Sequence, residues 1–352
     1  MKISKGKVFV GMSGGVDSSV SAALLKQAGY DVTGVFIKVW HPEWAPCTWK
    51  DDRRDAMRVA AVLDIPFLTF DFEEEYKKEV VEYMINEYKT GRTPNPDVMC
   101  NKNIKFGAFL NKAKEMGADF VATGHYAQIK DGIMAESVDI DKDQTYFLWT
   151  LTKEQLAHTL FPIGHLTKPE VRKLAEKFGL PTFNKKDSQG LCFIGKIDMK
   201  DFLKNYLDEK VGNVLNPEGK VIGTHEGAFF YTIGQRHGFT ITEKVSDDAP
   251  YYVTEKNIEN NTLTVSHDKK GTADDISKEI ELKEVNLTTP IDNNSKYQAR
   301  IRYRQPLQNC IIKKTSDSSL DIIFAQSQES VSQGQSVVLY KDGLCIGGGV
   351  IK

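Results

Sequence analysis

The sequence predicts an α/β protein in three parts: a parallel, Rossmann-like N-terminal sheet, a small helical domain, and a C-terminal β-barrel. Three observations predict it. Strand-length apolar runs alternate with helix-period segments from Lys7 onward. The pattern then stays helical from about Thr150 to Leu207, and beyond Val211 it breaks into short strands separated by turns such as NPEG, ENN and KDG. The corresponding domains are 1–150, 151–210 and 211–352. A chain of 352 residues with 40% hydrophobic content suits two or three units at roughly 100–200 residues each.

In chain order, KVFVGM (7–12) reads as a buried strand, and SGGVDSS (13–19) follows as a glycine loop. Val20, Ala23, Leu24 and Leu25 then mark a helix that Gly29 ends. VTGVFIKV is a second strand, 51–63 a helix, IPFLTFDF a third strand, and 73–89 a long helix. TGRTPNPDVMCN, dense in turn formers, predicts a loop before a helix over 102–116. ADFVATGHYAQI predicts one further strand, and TKEQLAHTL, TKPEVRKLAEKFG and MKDFLKNYL predict helices, with FNKKDSQGLCFIG as a loop. In open parallel sheets ligands sit at the strands' carboxyl ends, so the first loop, Gly124 and the PNPD loop are expected to share one crevice.

Composition narrows the class. No apolar run approaches the roughly 20 residues that cross a bilayer, and the N-terminus lacks the pattern of a secretory signal, which predicts a cytoplasmic protein. Five cysteines, Cys47, Cys100, Cys192, Cys310 and Cys345, lie far apart without a CxxC pair, which argues against structural zinc and disulfide stapling. Net charge is −2, so any nucleic-acid contact must come from a local patch. Lys296, Arg300, Arg302, Arg304, Lys313 and Lys314 form a run free of acids. Strand alternation would place Arg300, Arg302 and Arg304 on one cationic face and Ile301 and Tyr303 on the other.

A strand, a glycine-rich turn and a helix together point backbone N–H groups and the positive end of a helix dipole into one concavity, which suits a phosphate. The sequence lacks GxxxxGK[ST], so γ-phosphate transfer is a poor match. Cleavage of ATP between its α- and β-phosphates fits better, with the loop holding pyrophosphate and Asp17 helping to hold Mg²⁺. SGGVDSS resembles the loop of the pyrophosphatase-loop ATPases, which include GMP synthetase, NAD synthetase, argininosuccinate synthase and several tRNA-modifying enzymes.

Cys100 and Cys192 both fall in predicted loops, whereas Cys310 and Cys345 fall in apolar strands and read as structural. An adenylating loop joined to two mobile thiols suggests a particular chemistry. AMP transfer turns a pyrimidine carbonyl oxygen into a leaving group, a persulfide sulfur attacks the same carbon, and the second thiolate breaks the sulfur–sulfur bond. Asp97 is placed to act as a general base or to orient the ring.

SGGVDSS, NPDVMCNKNIKFG, ATGHYA, KDQTYFLW, DSQGLCFIG, FFYTIGQRHG and ARIRYRQ, in that order over nearly the whole chain, resemble the tRNA-specific 2-thiouridylase family. The resemblance implies an ATP-dependent sulfurtransferase acting on the wobble uridine of the tRNAs for lysine, glutamate and glutamine. It implies ATP binding by Gly11, Met12, Ser13, Gly14, Gly15, Val16, Asp17 and Ser18, with Ile37 and Gly124 touching the nucleotide. The family usually carries methionine at the position of Ile37. Asn95, Pro96 and Asp97 would approach the target base, Cys100 would be the nucleophile and Cys192 the persulfide carrier. Lys142, Asp143, Gln144, Arg302 and Tyr303 would contact tRNA. A sulfur-donor protein is the implied partner, the chain is expected to act as a monomer, and an iron–sulfur cluster on Cys100, Cys192 and Asp97 is the alternative sulfur carrier. His125 and Trp149 read as packed residues. Two rivals, a small-molecule ligase and a non-catalytic RNA-binding protein, would not need this pairing of two cysteines with an intact loop.

Overall fold

The computed structural model describes residues 4–44, 49–187, 198–242, 249–268, 277–292, 295–314, 316 and 318–352. Its N-terminal layer is a parallel sheet of β1 (Lys7–Gly11), β2 (Asp31–Lys38), β3 (Phe67–Asp71), β4 (Phe120–Ala122) and β7 (Thr159–Leu160), in the order β3-β2-β1-β4-β7. Alternation in β1 decides what covers each face. Val8 and Val10 pack with Val20 of α1 (Val16–Gln27), Ala56 and Val59 of α2 (Trp49–Val62) and Val171 of a later helix. Phe9 packs on the other side with Val80, Ile104 and Phe109 from α3 (73–89) and α4 (96–115). Burial on both faces is why these strands read as continuous apolar runs.

Several elements differ from the sequence reading. Helix α4 begins within the expected loop: Asn95 caps it by accepting from the Val98 N–H at 3.3 Å, and Pro96 stands at its first turn. Cys100 is therefore helical, at the start of a π-wound stretch, Cys100–Ala108. Gly107 belongs to that stretch because a side chain there would stand 2.9 Å from the Lys102 carbonyl oxygen. The expected strand ADFVATGHYAQI divides in two. Residues 120–122 pair with β1, while β5 (Gln128–Lys130) and β6 (Ile133–Ala135) form a hairpin that joins the C-terminal barrel. Asp131 and Gly132, both at positive φ, make its turn.

The segment expected to form a separate helical domain mostly belongs to the first layer. Strand β7 follows α5 (Lys153–Ala157) and extends the parallel sheet. Helix α6 (Lys168–Lys177), started by a Thr167/Glu170 capping box, packs against α1. Among the described residues of this segment, α7 (Met199–Lys204) follows, burying Phe202 and Leu203.

The expected all-β region is two units. The first is a five-stranded sheet of β8 (Gly212–Leu215), β9 (Val221–His225), β10 (Thr240–Ile241), β11 (Tyr252–Asn257) and β12 (Thr262–Ser266), in the order β10-β9-β8-β12-β11. The second contains β13 (Ser277–Leu287), β14 (Tyr297–Arg300), β15 (Gln308–Lys314), β16 (Leu320–Gln328), β17 (Ser336–Lys341) and β18 (Leu344–Ile351). Pairing of β13 with β18 closes those six strands into a barrel, which removes free edges. Trp149 fits against the glycine run of β18, where a side chain at Gly348 would meet its ring at 3.1 Å, and its indole donates to Ser336 Oγ at 3.0 Å.

Candidate active site

The site lies where the sheet order reverses. From β1 the chain moves outward through β2 and β3, then returns to β4 on the other side of β1, so the carboxyl ends of β1 and β4 flank a crevice. The first loop leaves β1 on one side, and residues 123–127 leave β4 on the other. The sequence expectation of a shared crevice holds for the loop and Gly124.

Met12 is buried and its N–H donates to the Val35 carbonyl at 2.8 Å, which carries the β-ladder into the loop. Gly14 has φ +74, and a side chain there would come within 2.3 Å of the Asp52 carbonyl oxygen, so only glycine fits. Gly15 is the N-cap of α1 with no side-chain cap, which leaves first-turn amides such as those of Val16 and Asp17 available to an anion. Ser18 Oγ accepts from the Ser13 N–H at 3.2 Å, and Ser19 Oγ donates to the Gly15 carbonyl at 2.6 Å. Opposite them, Gly124 presses on the first turn, where a side chain would meet the Ser18 nitrogen at 2.6 Å and the Asp17 carbonyl carbon at 2.8 Å. Ile37 is buried on β2 beside Gly11, its Cδ1 3.7 Å from where a Gly11 side chain would begin. This cradle of glycine backbone, open amides and hydroxyls suits a polyphosphate.

Asp17 is held by groups the sequence reading did not identify. Lys168 Nζ lies 2.7 and 2.9 Å from its two oxygens, and the Tyr126 hydroxyl donates to it at 3.0 Å. Burial, and then the Asp17 charge, pushes the Tyr126 hydroxyl far above its ordinary range, so it stays a donor. Asp187 completes the cluster, accepting from Lys168 at 2.9 Å, Lys142 at 2.8 Å and Arg172 at 2.8 Å. Burial pushes the Asp187 carboxyl up, but hydrogen bonds from Lys142 and Lys168 outweigh it and bring the pKa down to about 2. ATGHYA, TKPE and DSQG carried these residues in the sequence, yet no local pattern showed where their charges meet.

His125 is buried between Phe106 and Phe161. Burial first, and the Lys105 charge second, hold its pKa well below 6.5. Lys105 can only donate, so the Nε2 that faces its amine at 3.3 Å accepts, and Nδ1–H donates to Thr123 Oγ1 at 2.7 Å.

Cys100 is 0% exposed, which corrects its expected placement in an open loop; Asn95, Pro96 and Asp97 precede it and are half-buried. Asn101 Nδ2 donates to the Phe147 carbonyl at 3.1 Å and ties this helix to the turn Thr145–Phe147. Cys192, like Cys47, lies outside the described residues. Among the described residues no group of three or more His, Cys, Asp and Glu side chains is arranged to hold a metal. Cys310 and Cys345 are buried in barrel strands as expected, and burial pushes the Cys310 thiol up to about 12 and that of Cys345 higher still.

The expected cationic strand face does not form. Strand β14 ends at Arg300, and residues 301–304 turn away, with Arg304 at φ +63. Arg300 is 4% exposed, its guanidinium over the Tyr340 ring, 2.5 Å from Glu136 and 3.5 Å from Asp143. Two carboxylates from the segment that follows β6 make that burial possible. Asp143 is 1% exposed and accepts from Thr145 Oγ1 at 2.6 Å and the Ser137 N–H at 3.0 Å, so its side chain faces inward. Gln144 Oε1 accepts from the Tyr126 N–H at 2.9 Å. Arg302 is exposed and donates to the Ser330 carbonyl at 2.6 Å, while Tyr303 is half-buried, its ring centre 4.6 Å from that of Phe147.

A cavity of about 470 Å³ lies elsewhere, lined by Thr93, Ile233, Lys256 and Ser332, and includes none of the loop residues.

Three family models match the chain in succession. They are described as tRNA methyl transferase HUP domain (residues 6–196), tRNA methyl transferase PRC-barrel domain (200–267) and aminomethyltransferase beta-barrel domain (277–351). The chain is similar to tRNA-specific 2-thiouridylase MnmA of Streptococcus thermophilus, at 48% identity for strain CNRZ 1066 and 47% for strain LMD-9. Each match covers 99% of this chain and 95% of the relative. Among solved structures it is similar to NMN synthetase from Francisella tularensis (17% identity, TM-score 0.35, 53% of this chain and 67% of that one). It is also similar to the U34-tRNA thiolase NcsA from Methanococcus maripaludis with its [4Fe-4S] cluster (18% identity, TM-score 0.37, 57% and 64%). Those two likenesses are too distant to carry an argument about the site. With one family model spanning more than half of the sequence and relatives near half identity over almost its whole length, the chain belongs to the tRNA-specific 2-thiouridylase family.

Proposed function

We propose that this enzyme of tRNA uridine thiolation replaces the carbon-2 oxygen of the wobble uridine with sulfur in the tRNAs for lysine, glutamate and glutamine, at the cost of ATP. The observation that carries the reading is the cradle at the sheet's switch point, where Gly14 and Gly124 allow close approach of a polyphosphate and α1 begins without a side-chain cap. Gly11, Met12, Ser13, Gly14, Gly15, Val16, Asp17 and Ser18 bind the nucleotide beside Ile37 and Gly124. Asp17 would be the carboxylate to hold Mg²⁺, which would neutralise phosphate charge.

The uridine oxygen attacks the α-phosphorus and pyrophosphate leaves into the first-turn amides of α1, so the oxygen departs later as AMP. The terminal sulfur of a persulfide on Cys192 attacks carbon 2, and AMP carries away the oxygen. Cys100 thiolate then attacks the Cys192 sulfur and takes over its bond, leaving the transferred sulfur on the base and a Cys100–Cys192 disulfide. An external reductant returns two electrons and two protons. Because Cys100 is fully enclosed here, tRNA must open the segment around it. Asn95, Pro96 and Asp97 approach the base, and Lys142, Gln144, Arg302 and Tyr303 contact the tRNA, while Asp143, enclosed beside Arg300, holds their segment in place. A sulfur-donor protein loads Cys192, and the enzyme acts in the cytoplasm as a monomer; no helix among the described residues is long and apolar enough to cross a membrane.

The test is mass analysis of tRNA incubated with the enzyme, ATP, Mg²⁺ and a persulfide source. One uridine should gain the mass difference between sulfur and oxygen, and Cys192→Ser and Cys100→Ser should abolish the gain. Turnover of ATP with unmodified tRNA would overturn the reading.

A further inference from the structure

We infer that Lys168 is the residue that recognises the pyrophosphate end of the nucleotide, and that Asp187 competes with that pyrophosphate for the Lys168 amine. The inference rests on the ATP use proposed above and extends it to a residue outside the loop. Pyrophosphate is a multiply charged leaving group, and the loop residues Gly11 to Ser18 include no cation. The amine that reaches the loop belongs to Lys168, whose side chain is 11% exposed yet bonds both oxygens of Asp17. Burying an ammonium is costly unless anions surround it, and here Asp17 and Asp187 both do so.

The balance of charge in this cluster is informative. Lys142, Lys168 and Arg172 face Asp17 and Asp187, and Asp139 joins them by accepting from the Lys168 backbone N–H at 2.8 Å, so the side-chain charges balance and the open helix amides beside them are what favour a further anion. A carboxylate gripped by three cations next to a phosphate cradle occupies the position of an anionic ligand. With Mg²⁺ bound, Asp17 would be shared with the ion, and Lys168 would be free to donate to the phosphate oxygens. Asp187 then retains Lys142 and Arg172. The position of Lys168 at the first turn of α6 serves this arrangement, because the Thr167/Glu170 box already starts the helix and leaves the lysine stem to run toward α1.

The experiment is calorimetric titration of the full chain with ATP, inorganic pyrophosphate and AMP, each with Mg²⁺ and without tRNA. Lys168→Gln should weaken ATP and pyrophosphate about 10- to 100-fold, the range for a lost charge-assisted bond, while AMP changes less than about twofold. Lys168→Arg should restore most of the loss. Asp187→Asn should tighten pyrophosphate several-fold, a gain that a purely structural ion pair would not produce. Equal loss of ATP and AMP in Lys168→Gln, or unchanged pyrophosphate binding in it, would overturn the assignment. Weaker pyrophosphate binding in Asp187→Asn would overturn the competition. If the wild-type chain bound neither ATP nor pyrophosphate, the proposed reaction itself would fail instead.

Discussion

Replacing Gly124 by alanine tests the architecture of the cradle at a single atom. The added methyl would stand 2.6 Å from the Ser18 nitrogen, 2.8 Å from the Asp17 carbonyl carbon and 3.0 Å from the Ser18 Cα. Ordinary contact begins near 3.4 Å, so the two backbones must separate by about 3.4 − 2.6 = 0.8 Å. Neither yields easily, since one belongs to the first turn of α1 and the other continues β4. Overpacking of this kind costs about 1–3 kcal/mol, which for a unit of this size lowers the melting temperature by roughly 2–12 °C. The displaced amides are the proposed phosphate donors, and a misplacement near 1 Å can cost on the order of 100-fold where geometry is critical. ATP affinity should therefore fall at least about tenfold. Gly29→Ala is the control: its φ is +92 with no atom within 4 Å, so it introduces strain of about 1–2 kcal/mol at the far end of α1 without moving the first turn. Differential scanning fluorimetry and ATP titration read both variants. If Gly124→Ala binds ATP like the wild type, or if Gly29→Ala loses affinity equally, the close approach at Gly124 does not position the amides.

Other expectations follow from the buried charges. Arg300→Gln leaves Glu136 and Asp143 enclosed without their cation, and should cost about 3–5 kcal/mol in urea unfolding; a change under about 1 kcal/mol would mean that the pair is screened by water. His125 is neutral in the fold because burial depresses its pKa, so its contribution is present above 6.5 and is lost as pH falls below that value. The melting temperature should drop on acidification below pH 6.5, and His125→Gln should flatten that limb. Asp187, also depressed, contributes stability above 3.8 that is lost as pH falls through about 2; its partial exposure limits the effect to about 1 kcal/mol, read as a reduced acid sensitivity of Asp187→Asn below pH 4. Cys310 and Cys345, with thiols pushed up by burial, should resist alkylation at pH 8 in the native protein and react only in denaturant, as peptide mass analysis would show.

The first part of the site was legible because its signals are local. A strand, SGGVDSS and a helix specify a phosphate cradle through backbone geometry that a few neighbouring residues determine. The NP pair was equally local, as a helix cap followed by a first-turn proline, but the density of turn formers around it favoured a loop. That choice placed Cys100 in the open rather than in a helix. The basic strand misled for a different reason: alternation assumes that the strand continues, and β14 stops at Arg300.

By itself the sequence determined the layered α/β start, the barrel-forming end and the identity of the loop, because periodicity, capping and turn chemistry act over a few residues. Tertiary structure alone decided which charges meet. Lys168 reaches Asp17 across 151 residues and Arg300 reaches Glu136 across 164, separations over which no local pattern specifies a partner. It also decided that β5 and β6 leave the first layer for the barrel, where β6 pairs with Leu344 and Cys345, the end of β18 that β13 does not reach.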